Sequence, residues 1–119
     1  MNIPPEEICY SEAVIGLDAA FEYSHDADAD LWVERCISDL AQLWNYGDLY
    51  AVTEVRETKA GRALHIVAMA GDFHQELMNE MEAWGKSVGC KHSYFSGRRG
   101  WARKLPDYRE ITVTLSKEL

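Results

Sequence analysis

One segment constrains the fold of this sequence more than any other: the run Arg62–Ala70, which is apolar at almost every position. A strand with one solvated face alternates apolar and polar residues, whereas a strand covered on both faces is apolar throughout. We therefore expect a central strand of a sheet here. His65 is the polar exception. Because the sequence shows no partner for it, we expect a core or rim histidine and not a catalytic base.

The hydrophobic period changes from 3.6 residues to 2 at Leu49, one predicted strand before this central strand. Two helices are predicted ahead of the change, one from Pro4-Pro5 to about Tyr23 and one over Leu31–Asn45. An acidic loop separates them, in which Asp28 or Asp30 can cap the second helix. Leu49–Glu57 alternates and is predicted as a strand, joined to the central strand by a hairpin turn at Thr58–Gly61.

After the central strand the pattern returns to helical spacing and then alternates again. A third helix is predicted to begin at Asp72, with Gln75 completing a capping box, and to end before Gly89. A short strand at 91–95, a short basic helix within 96–105 and a final strand at 109–119 complete the prediction. The expected core residues are Leu40, Trp44, Leu64, Ile66, Phe73, Leu77, Met81, Trp84 and Val113.

These elements predict one α+β domain over residues 1–119, with an N-terminal helix and acidic loop in 1–30 and the core in 31–119. The expected sheet is mixed, with four or five strands and one helix packed on it. The three cysteines form no CxxC pair, so a disulfide framework and a zinc site are disfavoured. No apolar stretch approaches a membrane span and no signal peptide is evident, so we expect production in a cytoplasm.

Charge is divided unevenly along the chain. Residues 1–57 hold thirteen acidic and two basic residues, a net of −11, whereas residues 58–119 hold seven acidic and ten basic residues, a net of +3. A dipolar surface of this kind favours head-to-tail contacts or docking to charged proteins. The total of −8 disfavours binding to nucleic acid through its phosphates.

A family resemblance is carried by residues 63–119. The segment combines the apolar strand, Ala-Gly-Asp at its end, a helix through Met81-Glu82-Ala83-Trp84, and the stretches Gly97-Arg98-Arg99-Gly100-Trp101-Ala102-Arg103 and Leu115-Ser116-Lys117-Glu118-Leu119. It resembles small GNAT-like (N-acetyltransferase-fold) proteins of tailed bacteriophages, encoded among their virion genes. The resemblance implies a GNAT-like fold and association with the virion.

The same resemblance allows a test for the acetyl-CoA site. GNAT enzymes hold the pyrophosphate of acetyl-CoA on a (Q/R)xxGx(G/A) loop between the fourth strand and the next helix. The matching segment, Met69–His74, has one glycine, is too short, and places the Asp72 carboxylate where the phosphates would lie. We therefore expect no cofactor and no enzymatic activity.

The sequence also lacks the motifs of a serine hydrolase, a transition-metal site and a calcium-binding loop. Ser96-Gly97 is not a GxSxG motif, and Cys90 with His92 is too small a set for a metal. Asp26, Asp28 and Asp30 alternate as in a calcium loop, but the glycine and glutamate that such a loop needs are missing. No catalytic and no metal-binding residue is predicted.

The one surface with the composition of an interface is the basic segment after the predicted short strand. Arginine and tryptophan dominate interface hot spots. The alternative is that Trp101 packs inward and the basic residues form an ordinary solvated face. The predicted interaction residues are Arg98, Arg99, Trp101, Arg103 and Lys104.

From these observations we expect a non-enzymatic, virion-associated structural protein, an internal or head–tail component that binds other virion proteins and itself forms an oligomer or ring. Nucleic-acid and membrane partners are not expected. Two alternatives remain open: a GNAT-type N-acetyltransferase that uses acetyl-CoA, and a phage protein that inhibits a host protein by binding it.

Overall fold

The protein is described by a computed structural model, which covers residues 1–22, 24, 27–111 and 115–119 and leaves out the side chain of Arg99. Its strands and helices follow each other as β1 (Asn2–Ile3), α1 (Tyr10–Leu17), α2 (Ala29–Ile37), β2 (Gln42–Tyr46), β3 (Leu49–Thr58), β4 (Gly61–Ala70), α3 (Gln75–Ser87) and β5 (His92–Phe95). Single 3-10 turns occupy Pro5–Glu7, Asp18–Phe21 and Arg99–Arg103.

The five strands form one mixed sheet in the order β1-β2-β3-β4-β5, in which only β4 and β5 run parallel. The α+β prediction with a five-stranded mixed sheet is therefore confirmed. Within the described part of the chain, no helix is long and apolar enough to cross a membrane.

Strand β4 is covered on both faces, as its composition predicts. Leu64, Ile66 and Met69 face α3 in one buried cluster, whereas Ala68 belongs to a second cluster beneath α1 and α2. Helix α3 lies so close to β4 that a Cβ at Gly85 would be 3.1 Å from the Leu64 side chain. The sheet is thus the middle layer of three.

The second predicted helix is wrong in its C-terminal half. Helix α2 ends at Ile37, Asp39 takes a positive φ of 61°, and residues 42–46 form strand β2. Leu43 and Trp44 are both buried but in different clusters, one on each face of the sheet. Their spacing therefore fits a strand with two covered faces as well as a helix, and pairing with β3 decides between the two.

Other predicted boundaries also differ. The first helix is shorter than predicted, Tyr10–Leu17, and Pro5–Glu7 is a separate 3-10 turn. The two-residue strand β1 was not predicted. Helix α3 begins at Gln75 after an N-cap, His74, that makes no side-chain capping bond, so the capping box from Asp72 is wrong.

The C-terminal segment does not form the predicted strand in its described parts, residues 109–111 and 115–119. Residue 113, an expected core position, lies outside the described residues.

Most of the other expected core residues are confirmed. Trp44, Leu64, Ile66, Leu77 and Met81 are all buried. Two more, Phe73 and Trp84, lie half-buried against the cluster beneath α3. The prediction that Leu40 is buried was wrong. Its surface is 66% exposed, because it lies in the turn between α2 and β2 instead of inside a helix.

A buried hydrogen-bond chain fixes β2 against β3. Trp44 Nε1 donates to Thr53 Oγ1 at 2.9 Å, and Thr53 Oγ1 donates to Gln42 Oε1 at 2.8 Å. Thr53 is fully buried, so its hydroxyl is the partner that satisfies the indole of Trp44.

Replacing this hydroxyl tests the chain directly. Thr53→Val should reduce the free energy of unfolding by about 1–3 kcal/mol, because the buried indole N–H loses its acceptor. Urea unfolding monitored by circular dichroism measures the change. Thr53→Val in a Trp44→Phe background is the control and should cost clearly less, since no indole N–H remains. An equal loss in both backgrounds would show that the methyl-for-hydroxyl exchange acts through packing alone.

Candidate active site

A cleft opens where β5 leaves β4. The two strands pair in parallel from Ala63 with His92 to Ile66 with Phe95, and Ser96 N then donates to Ile66 O at 3.2 Å. Strand β4 continues for four more residues. The cleft holds a cavity of about 110 Å³ lined by Ala19, Ala20, Ala68, Met69, Ala70, Phe95, Ser96, Gly97, Arg98 and Trp101.

A β-bulge lies at the same place on β4. The pairing with β3 shifts by one residue, from Val52 with Ala68 to Thr53 with Ile66, so Val67 is the extra residue. Val67 and Ala68 consequently both face α1 and α2. The backbone N–H groups of successive strand residues point to alternate edges of the strand. We therefore expect some of the N–H groups of residues 67–70 to face the cleft at the β5 edge of β4.

Three polar side chains form a hydrogen-bonded relay at the mouth of the cleft. His65 Nδ1 lies 2.8 Å from Glu54 Oε2, and His65 Nε2 lies 2.9 Å from Ser96 Oγ. Glu54 and His65 are opposite each other in the β3–β4 register, and Ser96 directly follows β5. The side chains of His65 and Glu54 are only 12% and 18% exposed, whereas Ser96 is exposed.

The surroundings set the protonation of His65. Burial lowers the pKa of His65 below its usual 6.5. The hydrogen bond and charge of Glu54 raise the pKa by less than burial lowers it, and the charge of Arg56 adds the smallest effect, a further lowering. The imidazole is therefore neutral at pH 7. Because a carboxylate only accepts, Nδ1 carries the proton that is donated to Glu54, and Nε2 is free to accept from the Ser96 hydroxyl.

The ring of His65 is held in one orientation. It stacks on the ring of Tyr94 with centroids 4.4 Å apart and planes 10° apart, and Arg56 Nη1 donates to the Tyr94 hydroxyl at 3.3 Å. Two hydrogen bonds and one stacked ring thus define the direction in which Nε2 points.

The junction between β4 and α3 does not fit the pyrophosphate of acetyl-CoA. A Cβ at Gly71, whose φ is +112°, would lie 2.3 Å from Asp48 O, so this turn packs directly on the β2–β3 hairpin. Asp72 N donates to the Asp48 carboxylate at 3.3 Å, and Glu76 adds a third carboxylate in the first turn of α3. These groups repel phosphate where the positive end of the helix dipole would attract it.

The predicted interaction residues lie next to the cleft. Arg98 donates to Ala19 O at 2.6 Å and pairs with Glu22 at 3.2 Å, which ties the segment after β5 to the turn after α1. Trp101 is half-buried, and its ring lies 5.9 Å from that of Phe95.

The remaining predicted residues of this segment face solvent. Arg103 and Lys104 are exposed, and the ammonium of Lys104 lies 5.9 Å from the Trp101 ring centroid. Arg99 is placed in the 3-10 turn by its backbone alone. Contact of this segment with a partner stays a prediction.

Two other residues singled out in the sequence, Asp28 and His92, make structural contacts, and Asp26 lies outside the described residues. Asp28 caps α2 by accepting from Leu31 N at 2.8 Å. His92 Nε2 lies 3.0 Å from Ala60 O, next to the β3–β4 turn. Across residues 1–22, 24, 27–111 and 115–119, no three histidine, cysteine or acidic side chains are close enough together to hold a metal ion.

Sequence reasoning missed the relay because its members are far apart in the chain. Glu54 and Ser96 are 11 and 31 residues from His65. The one usable signal was His65 itself, a polar residue in an otherwise apolar central strand, which requires a partner once it is buried.

No protein-family model matches this sequence, and no curated protein matches it. Solved structures do match its fold. An aminoglycoside acetyltransferase from an uncultured soil metagenomic sample, in complex with sisomicin, is 12% identical and superposes with a TM-score of 0.67 over 100% of this chain and 94% of that chain. An aminoglycoside N-acetyltransferase in complex with CoA is 9% identical, with a TM-score of 0.64 over 99% and 93%. A Trypanosoma brucei acetyltransferase is 10% identical, with a TM-score of 0.64 over 100% and 97%.

These similarities show that the chain has the acetyltransferase fold, as the resemblance implied. They also contradict our expectation that the chain is not an enzyme, because acetyltransferases are among the proteins that share its fold over nearly their whole length. The expectation rested on the missing pyrophosphate loop. The structure has a cleft between β4 and β5, which the sequence did not reveal.

The lowered pKa of His65 predicts how stability depends on pH. The unfolded chain takes up a proton on His65 as the pH falls through about 6.5, whereas the folded chain resists it, so the folded state loses stability below that pH and keeps it above. His65→Phe keeps an aromatic ring at this position but removes the titratable imidazole. It should therefore lose less unfolding free energy than the wild type between pH 7.5 and pH 5.5 in urea titrations. Glu54→Gln should show a larger loss, because the carboxylate that favours protonated His65 is gone. Equal losses in all three proteins would contradict the prediction.

Proposed function

We propose that this chain is an enzyme of acyl transfer that holds a short acyl group in the cleft between β4 and β5. The observation that carries the proposal is the cleft itself, a cavity of about 110 Å³ with a mainly apolar lining that includes Ser96 of the hydrogen-bonded relay. The acetyltransferases that share the fold support it.

The cavity suits a small acyl group by size and polarity. Four alanines, a methionine and two aromatic rings supply most of its lining. A cavity of about 150 Å³ accepts a benzene molecule, so one of about 110 Å³ has room for an acetyl or propionyl group.

The backbone and the imidazole supply complementary chemistry. The N–H groups of residues 67–70 that face the cleft can donate to the carbonyl oxygen, on which negative charge develops when the acyl carbon is attacked. His65 can accept the proton of the attacking group, because its pKa keeps it neutral at pH 7.

The donor is an activated acyl ester or thioester recognised through its acyl end. The carboxylates of Asp48, Asp72 and Glu76 leave no place for a pyrophosphate at the start of α3. A nucleotide on the donor should therefore contribute nothing to binding.

We also propose a setting for this activity, the particle of a tailed bacteriophage. The similarity of residues 63–119 to phage virion-gene products supports it. The division of charge between −11 in residues 1–57 and +3 in residues 58–119 suits docking to neighbouring virion proteins or to a second copy of the chain.

The acyl-transfer proposal predicts that the donor's nucleotide is dispensable. Acetyl-CoA and S-acetyl-N-acetylcysteamine, each supplied with a panel of primary amines, should release thiol with kcat/KM values equal to within about threefold, because the cleft contacts only the shared acyl end. Ala19→Phe fills the cleft mouth from an exposed position and should lower kcat/KM about tenfold or more. Ala102→Phe, at an exposed alanine away from the cleft, is the matched control and should not. The proposal would be contradicted if the protein released thiol from none of the donors faster than buffer alone.

The setting predicts where the chain is found. Peptides of the chain should be detected by mass spectrometry in purified phage particles and should remain after a high-salt wash, because an internal component is enclosed. A chain that is absent from the particles and captures a host protein from lysate would contradict this setting and support the inhibitor alternative.

A further inference from the structure

We propose that Ser96 is a nucleophile that takes the acyl group covalently, with His65 as its base and Glu54 as the residue that positions and polarises His65. The inference deepens the acyl-transfer function proposed above and rests on it. It assigns the attacking group of the first step to the chain itself instead of to a second substrate.

The three side chains are linked in the order that such a step needs. The Ser96 hydroxyl is 2.9 Å from His65 Nε2, and His65 Nδ1 is 2.8 Å from the Glu54 carboxylate. A hydroxyl attacks only when a base removes its proton, and the base acts best when its second nitrogen is held by an acceptor. The order is hydroxyl, imidazole, carboxylate.

Ser96 is the only member of the relay that lines the cavity. Its position is fixed at the backbone, where its N–H donates to Ile66 O at the last contact before the strands separate. The base and the carboxylate lie beneath it, 12% and 18% exposed. A substrate in the cleft therefore meets the Ser96 hydroxyl, with His65 Nε2 directly behind it to accept a proton.

Burial, and not the charges around it, favours the neutral form of His65. Glu54 and Arg56 face it from β3, while Tyr94 stacks on it and Ser96 bonds to it from β5 and its extension. Arg56 donates to the Tyr94 hydroxyl. One carboxylate and one guanidinium thus oppose each other, and burial decides in favour of the unprotonated imidazole.

The proposed step balances within these groups. Ser96 Oγ forms a bond to the acyl carbon while its proton passes to His65 Nε2, and the bond from the acyl carbon to the leaving oxygen or sulfur breaks. The leaving group departs with the proton that His65 returns. The product is a serine ester and a free alcohol or thiol. Attack by water or an amine on the ester, with His65 again as base, restores the Ser96 hydroxyl.

The experiment uses the full chain and two probes. p-Nitrophenyl acetate is mixed with the protein and quenched in acid, and a fluorophosphonate, whose serine adduct does not turn over, is applied in parallel. We expect one acetyl or one phosphonyl group per chain, mapped by mass spectrometry to the peptide that contains Ser96. Ser96→Ala should carry neither adduct at that peptide. Ser93→Ala is the matched control, because the Ser93 hydroxyl, on the neighbouring strand β5, bonds to Tyr108 and lies outside the cleft.

Two further variants test the base and the positioning residue. His65→Phe keeps the stacked ring and should slow acylation about a hundredfold or more. Glu54→Gln should slow it about tenfold and move the acidic limb of its pH profile to lower pH, because the carboxylate raises the pKa of His65. A purely structural role for Glu54 would leave that limb in place.

The outcomes separate this inference from the function on which it rests. Acylation that is equally fast in wild type and Ser96→Ala, or adducts mapped only to other residues, overturn the inference. If acyl transfer from thioesters persists in Ser96→Ala, the proposed function stands and the covalent step falls. If the fluorophosphonate labels Ser96 while no donor is used, the nucleophile stands and the acyl-transfer function falls.

Discussion

The burial of strand β4 on both faces is the constraint from which the rest of the structure follows. Its side chains enter two separate clusters, one beneath α3 and one beneath α1 and α2. A strand in that position needs a hydrogen-bonded neighbour on each edge, since backbone groups without partners are costly away from water. Strand β3 supplies one edge along its whole length, and β5 supplies the other only as far as Ile66. The cleft lies where that second edge ends.

The bulge at Val67 and the short turn at Gly71 then determine what the cleft can take. The bulge changes which face the following residues cover, so that Ala68 packs under α1 and α2 while Met69 packs under α3. Small alanine side chains on this part of β4 leave the space that forms the cavity. The turn at Gly71 packs on the backbone of Asp48 and closes the place where a nucleotide phosphate would lie. The cleft between β4 and β5 is therefore open, whereas the turn before α3 is closely packed.

The relay illustrates how a buried polar residue is compensated. Removing His65 and Glu54 from water costs free energy, which the two hydrogen bonds of the imidazole and its stacking on Tyr94 offset. The same low-dielectric surroundings lower the pKa of the imidazole and strengthen its hydrogen bonds. The same hydrogen bonds thus compensate the burial of His65 and hold its imidazole in position to accept a proton. The charge of Glu54 affects the pKa of His65 more than it affects the packing of the side chains.

The sequence by itself determined the elements whose burial pattern has one solution. The apolar run of β4, the alternation of β3 and the stripe of α3 give a three-layer α+β domain, because each periodicity admits a single buried arrangement. It did not determine β2, since Leu43 and Trp44 fit a helix or a strand equally until β3 pairs with them. It also did not determine the relay, because Glu54, His65 and Ser96 meet only through the β3–β4 register and the parallel addition of β5. Local periodicity depends on residues that are close in the sequence. A site assembled across three strands depends on strand pairings that only the tertiary structure decides.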